Sequence, residues 1–255
     1  MNNFWWQVSW RVPHFREGAT LVVNYSVVAT EEDYFIWGPA NQIYYPEGAS
    51  ERVVQTGVYA LILNRETIEK VTTRERQEYN NRRGVEGYPN ARNIVILTQP
   101  TENSCVQIID GFAPEYSSFE KSDIMKIGAF SEVEHILINA TSHTPPEVVF
   151  GPELDHAWCY IYQKATLARQ RGDWELVTAL DQQASRNTFV PQDAIEWMPF
   201  LQASAILGDA ERIQEIALFL KNEPFVLGQA CESLKRIDLT PEMHSLTESI
   251  YCIAE

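Results

Sequence analysis

No stretch of this sequence is apolar for the roughly 18–20 residues that a bilayer crossing takes, so a soluble chain with no transmembrane segment is expected. Residues 1–11 lack a basic leader, and Gln7 and Arg11 interrupt their apolar run, so no secretory signal is expected. Basic charge is scarce, with 20 lysines and arginines against 35 acids and a formal net charge of -15. An acidic surface repels phosphate backbones and anionic headgroups, which excludes nucleic acid as a partner. Low-complexity tracts are missing too. With 45% hydrophobic residues in 255, the chain can bury a substantial core without metals or cross-links.

Cysteine is sparse, and none of it is paired in sequence. Cys105, Cys159, Cys231 and Cys252 stand far apart among apolar neighbours, with no C-x-x-C. Buried free thiols are therefore expected. A Cys231–Cys252 bridge stays open, because sequence does not carry the geometry. Catalytic signatures are also lacking. None of His14, His135, His143, His156 and His244 lies in H-E-x-x-H. His156-x-x-Cys159 falls short of the three or four ligands zinc needs. There is no G-x-G-x-x-G, Walker loop or G-x-S-x-G elbow. Asp110-Gly111 reads as a turn before it reads as a catalytic acid. No catalytic residue, cofactor or metal ligand is expected. Asn24-Tyr-Ser26 and Asn139-Ala-Thr141 match the glycosylation sequon, a pattern of little specificity.

What is present divides into two halves. Phe4, Trp5, Trp6, Val8, Trp10 and Val12 precede Pro13 and fit a short amphipathic helix or strand covering an edge of the core. The other reading makes Trp5, Trp6 and Trp10 an anchor at a membrane–water boundary, which tryptophan rings favour. After a turn at Glu17-Gly18, residues 19–25 read as a strand buried on both faces, and 58–63 as a second. The acidic residues 31–33 lead into an aromatic stretch, 34–37, and a turn at Pro46-Glu47-Gly48. Residues 67–73 alternate like a half-exposed strand, and 74–83 form a solvated, mixed-charge strand end or loop. Residues 93–98 and 105–110 look like an antiparallel hairpin; 122–130 suit a short helix and 136–138 a last strand. This mixture predicts a small mixed β-sheet domain, α+β or α/β, over 1–145, with a boundary in the proline-bearing segment 141–147.

From Pro152 the period becomes helical. Trp158, Ile161, Tyr162, Ala165 and Ala168 share one helix face, broken at Gly172-Asp173, and a second helix follows through Trp174, Val177, Leu180 and Ala184. The pattern recurs through Trp197, Phe200 and Leu201 to Gly208-Asp209, 36 residues on, near the roughly 34-residue tetratricopeptide period. Glycine frees each turn from the limit on positive φ, and aspartate caps the next helix. Residues 167–175 resemble the inter-helix turn of tetratricopeptide repeats. An all-α, tetratricopeptide-like domain of helical hairpins is predicted over 150–255, with helices at 226–236 and 241–253 capping the stack.

Beyond the repeats, Trp6-Gln-Val-Ser-Trp-Arg-Val-Pro13, Gly18-Ala-Thr-Leu-Val-Val-Asn24, Asn41-Gln-Ile-Tyr44, Cys105-Val-Gln-Ile-Ile-Asp110, Phe150-Gly-Pro152 and His156-Ala-Trp-Cys-Tyr-Ile-Tyr-Gln-Lys-Ala165 follow one another in a familiar order. They resemble the soluble C-terminal region of certain uncharacterised bacterial polytopic membrane proteins, some with a glycosyltransferase-like membrane part. The resemblance implies more chain before Met1, tryptophans beside a last membrane helix, and a tethered domain on either side of the membrane. It implies no active-site residue. Read without it, the chain is cytoplasmic.

Three functions are thus in play. One is a non-catalytic interaction domain, whose helical array holds a protein partner or braces the sheet domain. Another is an accessory domain contacting sugar or lipid-linked donor through exposed aromatics at Trp37, Tyr44 and Tyr45. A stand-alone hydrolase without a recognisable motif is the third.

Overall fold

In the computed structural model, residues 1–26, 32–47, 54–76, 78–82 and 84–252 are described. Glu31 of the acidic segment, Gly48 of the proline turn, Gln77 and Arg83 of the charged segment, and Ile253 lie outside them. The chain forms an α+β structure of two compact units. Unit 1 comprises 1–102, 106–114 and 120–155; unit 2 comprises 103–105, 115–119 and 156–255. The main division thus falls at Asp155, later than 141–147, and the second unit borrows two short segments from the first half.

Unit 1 opens with α1 (Asn2–Arg11), a helix whose residues 4–11 are all buried. Next come β1 (Ala19–Asn24), α2 (Tyr34–Tyr44), β2 (Val54–Gln55), β3 (Val58–Leu61) and α3 (Arg65–Thr72). They are followed by β4 (Asn80–Arg82), β5 (Val85–Gly87), β6 (Ile94–Thr98), β7 (Gln107–Ile108), α4 (Ser122–Ile127) and α5 (Glu147–Phe150). The main sheet has the order β3-β1-β6-β7, with β1 parallel to β3 and β6, and β7 antiparallel to β6. Every residue of β1 and β6 is buried, which is why both read as continuous apolar runs. A second sheet has the order β2-β5-β4.

Two local expectations fail. Residues 67–72 are helical, within α3, and Thr73 is its C-cap: the Asn64 side chain accepts from Thr67 N at 2.8 Å, and Thr67 and Val71, one turn apart, are the buried positions. A cap and an i,i+4 pair outweigh the apparent alternation. Residues 136–138 form no strand; a single bridge joins Ile136 to Phe15. The aromatic stretch proves to begin α2, which runs through Pro39. Proline inside a helix costs about 3 kcal/mol and orphans the carbonyl four residues back. Burying Ile36, Ile43 and Tyr44 returns roughly 1.5–3 kcal/mol each, so packing wins. The orphaned Phe35 carbonyl accepts from the Tyr25 hydroxyl at 2.9 Å, and that hydroxyl accepts from Trp5 Nε1 at 3.0 Å.

Unit 2 contains α6 (Trp158–Arg171), α7 (Trp174–Arg186), α8 (Met198–Leu207), α9 (Ala210–Leu220), α10 (Pro224–Lys235) and α11 (Pro241–Tyr251). Consecutive helices pack on one another around Ile161, Ala165, Leu201, Ile213, Ile216 and Val226, all fully buried. Gly172 and Gly208 both take left-handed φ, 72° and 79°, at the ends of α6 and α8. Asp173 accepts from Leu176 N at 3.1 Å and Asp209 from Arg212 N at 3.0 Å, so each caps the next helix. Thr240 caps α11 in the same way, with Pro241 in its first turn.

The free-thiol expectation is overturned, for Cys105 is bonded to Cys159 and Cys231 to Cys252. Burial among apolar neighbours is shared by thiols and disulfides, so composition could not separate them. The first bridge fastens the borrowed segment 103–105 to α6; the second ties α10 to the residue after α11.

Candidate functional site

Unit 1 contains a cavity of about 440 Å³ whose walls come from segments 14–17, 44–47, 56–59, 86–88 and residue 143. His14 and Glu17 precede β1, and Gly57 and Tyr59 stand at the start of β3, so the cavity lies at the amino ends of the parallel strands. Open α/β sheets usually bind ligands at the carboxyl ends. There, Asn24 and Thr98 instead share a closed hydrogen-bond network with Glu120, and Lys121 Nζ donates to Asn24 Oδ1 at 2.7 Å. Asn24 is buried, so its sequon offers no surface for glycosylation.

Asn41 builds the cavity's frame. Its Oδ1 accepts from Gly57 N at 2.8 Å and Val58 N at 3.1 Å, while Nδ2 donates to the carbonyls of Trp37 and Val58, both at 2.7 Å. One side chain thus fastens the last turn of α2 to the first residues of β3. This sets the Tyr45 ring where a β-carbon on residue 57 would stand, a close approach that requires glycine. The Tyr44 hydroxyl donates to Val12 O at 3.2 Å and the Tyr45 hydroxyl to Phe15 O at 2.9 Å. Both tyrosines therefore spend their polar ends on backbone and present ring surface. Burial pushes the Tyr45 phenol up to about 12, with the Glu17 carboxylate adding to the rise, and burial raises Tyr44 as well.

Two histidines complete the aromatic wall. His14 stacks on His143, with centroids 4.9 Å apart and 26° between planes, and lies 5.0 Å from the Tyr45 ring. Burial, then the neighbouring His143, lowers the His14 pKa below its ordinary 6.5. Its Nδ1 is buried with no hydrogen-bond partner among the described residues. Tyr59 and Tyr88 meet edge to face at 6.3 Å. Burial, Glu17 and Tyr88, in that order, raise the Tyr59 phenol. Glu17 and Glu47 are exposed; Glu86 is half-buried and accepts from the Tyr79 hydroxyl at 3.3 Å. Among the described residues, no lysine or arginine lines the cavity.

Of the expected ligand-contact aromatics, Tyr44 and Tyr45 line this cavity and Trp37 does not. Trp37 borders a separate recess of about 20 Å³ beside Asp33 and Asn80, too small for a ligand. The expected membrane-interface role of Trp5, Trp6 and Trp10 is corrected: the three are 0%, 3% and 6% exposed, and an enclosed ring has no face for headgroups. Trp10 Nε1 donates to Glu153 at 2.8 Å, while Trp6 Nε1 has no partner among the described residues. Gly172, Asp173, Gly208 and Asp209 sit in the two helix-joining turns of unit 2. Tyr59, Glu86 and Tyr88 went unmarked in the sequence, and His14, His143 and Glu17 stood out there only as histidines outside any motif and as a turn residue, because all six are single residues on segments that only the fold brings together.

Unit 2 holds a second polar assembly, around the borrowed segment 115–119. Glu115 pairs with Arg169 of α6 at 2.7 Å and accepts from Gln202 of α8 at 2.8 Å. Gln229 of α10 accepts from Tyr116 N at 2.7 Å and donates to Tyr116 O at 2.9 Å. The other segment is held by Ser104 on Asp193 at 2.8 Å and by Cys105 N on Glu196 at 2.6 Å. Glu196 also accepts from Trp158 Nε1 at 2.6 Å. Burial pushes its carboxyl up to about 8, opposed by the Cys105 N–H and Trp158 bonds and assisted by Asp193.

Among the described residues, no group of three or more histidines, cysteines or acids could hold a metal ion, and no helix is long and apolar enough to cross a membrane. No family model matches the chain, and no curated protein or solved structure matches it.

Proposed function

We propose that this chain is a non-catalytic accessory domain: unit 1 carries the ligand-binding element, and unit 2 is a tetratricopeptide-like array used in cis. The observation that carries the second part is the seating of Glu115 and Tyr116. Arg169, Gln202 and Gln229, from the first helix of three successive pairs, all engage those two residues. Repeat arrays present extended surfaces of this kind to partners, and here the chain's own segment takes the place. The Gly–Asp turns 36 residues apart support the repeat assignment. The test is a competition: a peptide spanning 113–120 should bind a Glu115→Ala/Tyr116→Gly variant and not the wild-type chain. Tight binding to wild type would show that the array's surface is open to outside partners.

The resemblance to domains of bacterial polytopic membrane proteins supports a tethered origin. Two disulfides support an extracytoplasmic side, since reducing compartments keep thiols open. Thiol labelling of the protein in intact cells decides the side, with a labelled chain placing it in the cytoplasm. A second reading, contact with the sugar of a lipid-linked donor, draws on Tyr44 and Tyr45 in the cavity wall. Saturation transfer from those rings to a neutral sugar would support it.

A further inference from the structure

We propose that the cavity of unit 1 selects a small organic cation, an ammonium group with an apolar face, over a neutral sugar of similar size. The inference rests on the cavity being the binding element.

The cavity wall combines aromatic faces with carboxylates. A sugar both gives and takes hydrogen bonds, so a sugar site needs donors as well as carboxylates. Here the two tyrosine hydroxyls deepest in the wall are turned to the carbonyls of Val12 and Phe15. Thr56 is buried, and among the described residues no lysine or arginine lines the cavity. The fixed charges among the described lining residues are the carboxylates of Glu17, Glu47 and Glu86, set beside the phenol rings of Tyr59 and Tyr88. Aromatic faces supply the other half of cation recognition, because the negative face of a ring attracts ammonium groups within about 6 Å. The stacked His14–His143 pair adds ring surface, and burial disfavours a positive charge on His14. The volume, about 440 Å³, lies in the range of small-molecule sites.

The groups facing His14 set a pH limit. Around it stand His143, Tyr44, Tyr45 and Glu17. Acidification protonates His14 and puts a positive charge in the wall, so a cationic ligand should bind more weakly as pH falls through the lowered His14 pKa.

Three probes suffice: choline, its uncharged isostere 3,3-dimethylbutan-1-ol, and glucose. They are titrated into the full chain at low salt while the aromatic resonances are followed. Choline should shift the Tyr45 and His14 signals, the isostere should bind about tenfold or more weakly, and glucose should do nothing. Glu17→Gln and Glu86→Gln, both at positions with solvent access, should each weaken choline about three- to tenfold, and salt should weaken it further. Equal binding of choline and its isostere, or binding of glucose alone, would overturn the cation assignment and leave the cavity a ligand site. Failure of all three to perturb the cavity would overturn both readings.

Discussion

Glu196 is buried completely, takes two N–H donors at 2.6 Å, and has its pKa pushed up to about 8. The folded state therefore holds its proton more tightly than the unfolded chain, whose glutamate titrates near 4.5. The stabilisation is full below pH 4.5 and is lost as pH rises through 8. Glu196→Gln should remove that slope from a plot of melting temperature against pH. It should also cost about 1–3 kcal/mol, since the new amide turns a donor toward a donor. An unchanged pH profile would show that this carboxyl does not titrate in that range. Gly57 is decisive in another way. Gly57→Ala must displace the Tyr45 ring, at a cost of about 1–3 kcal/mol, and should abolish choline binding even where the chain still folds. Neither residue was marked in the sequence. Glu196 was one acid among 35, and Gly57 lay beside a strand start with nothing to distinguish it.

At the scale of elements, legibility followed how local the cause was. β1 and β6 were readable because burial on both faces leaves an unbroken apolar run. The Gly172-Asp173 and Gly208-Asp209 turns were readable because left-handed φ and an N-cap each demand a residue type. Asp173→Ala and Asp209→Ala should each cost about 1 kcal/mol in chemical denaturation, and Asp→Asn much less, because asparagine caps as well. α3 misled because its residues satisfy period 2 and period 3.6 over so short a span. α2 was hidden by Pro39, whose cost is met by remote groups: the Trp5–Tyr25–Phe35 hydrogen-bond chain crosses from α1 past the end of β1. Tyr25→Phe should strand both Trp5 Nε1 and the Phe35 carbonyl. A loss of about 1–3 kcal/mol is expected, with faster hydrogen exchange confined to the first turns of α2; a neutral substitution would mean that water replaces the hydroxyl.

For the molecule as a whole, the cross-links close loops of 54 and 21 residues, worth about 4 and 3 kcal/mol in the chain-entropy account. Reduction should lower the melting temperature by an amount that Cys105→Ser/Cys159→Ser and Cys231→Ser/Cys252→Ser reproduce separately; a reduced chain as stable as the oxidised one would refute the pairing. This level was the least legible, since pairing depends on distance in space and the sequence shows only separation.

The segments that unit 2 takes from the first half impose an order in time. Tyr116 leaves the ribosome 113 residues ahead of its partner Gln229, a wait of roughly 6 to 23 s at about 5–20 residues per second. Cys105 likewise emerges well before Cys159, with its thiol exposed to whatever oxidant or stray cysteine is near. During that interval the nascent chain holds β6 and its neighbours without the helices that secure residues 103–105 and 115–119. Synthesis can therefore finish the strands early, but folding is completed only after the last helices arrive, and a chain cut short before α10 would leave Tyr116 permanently waiting.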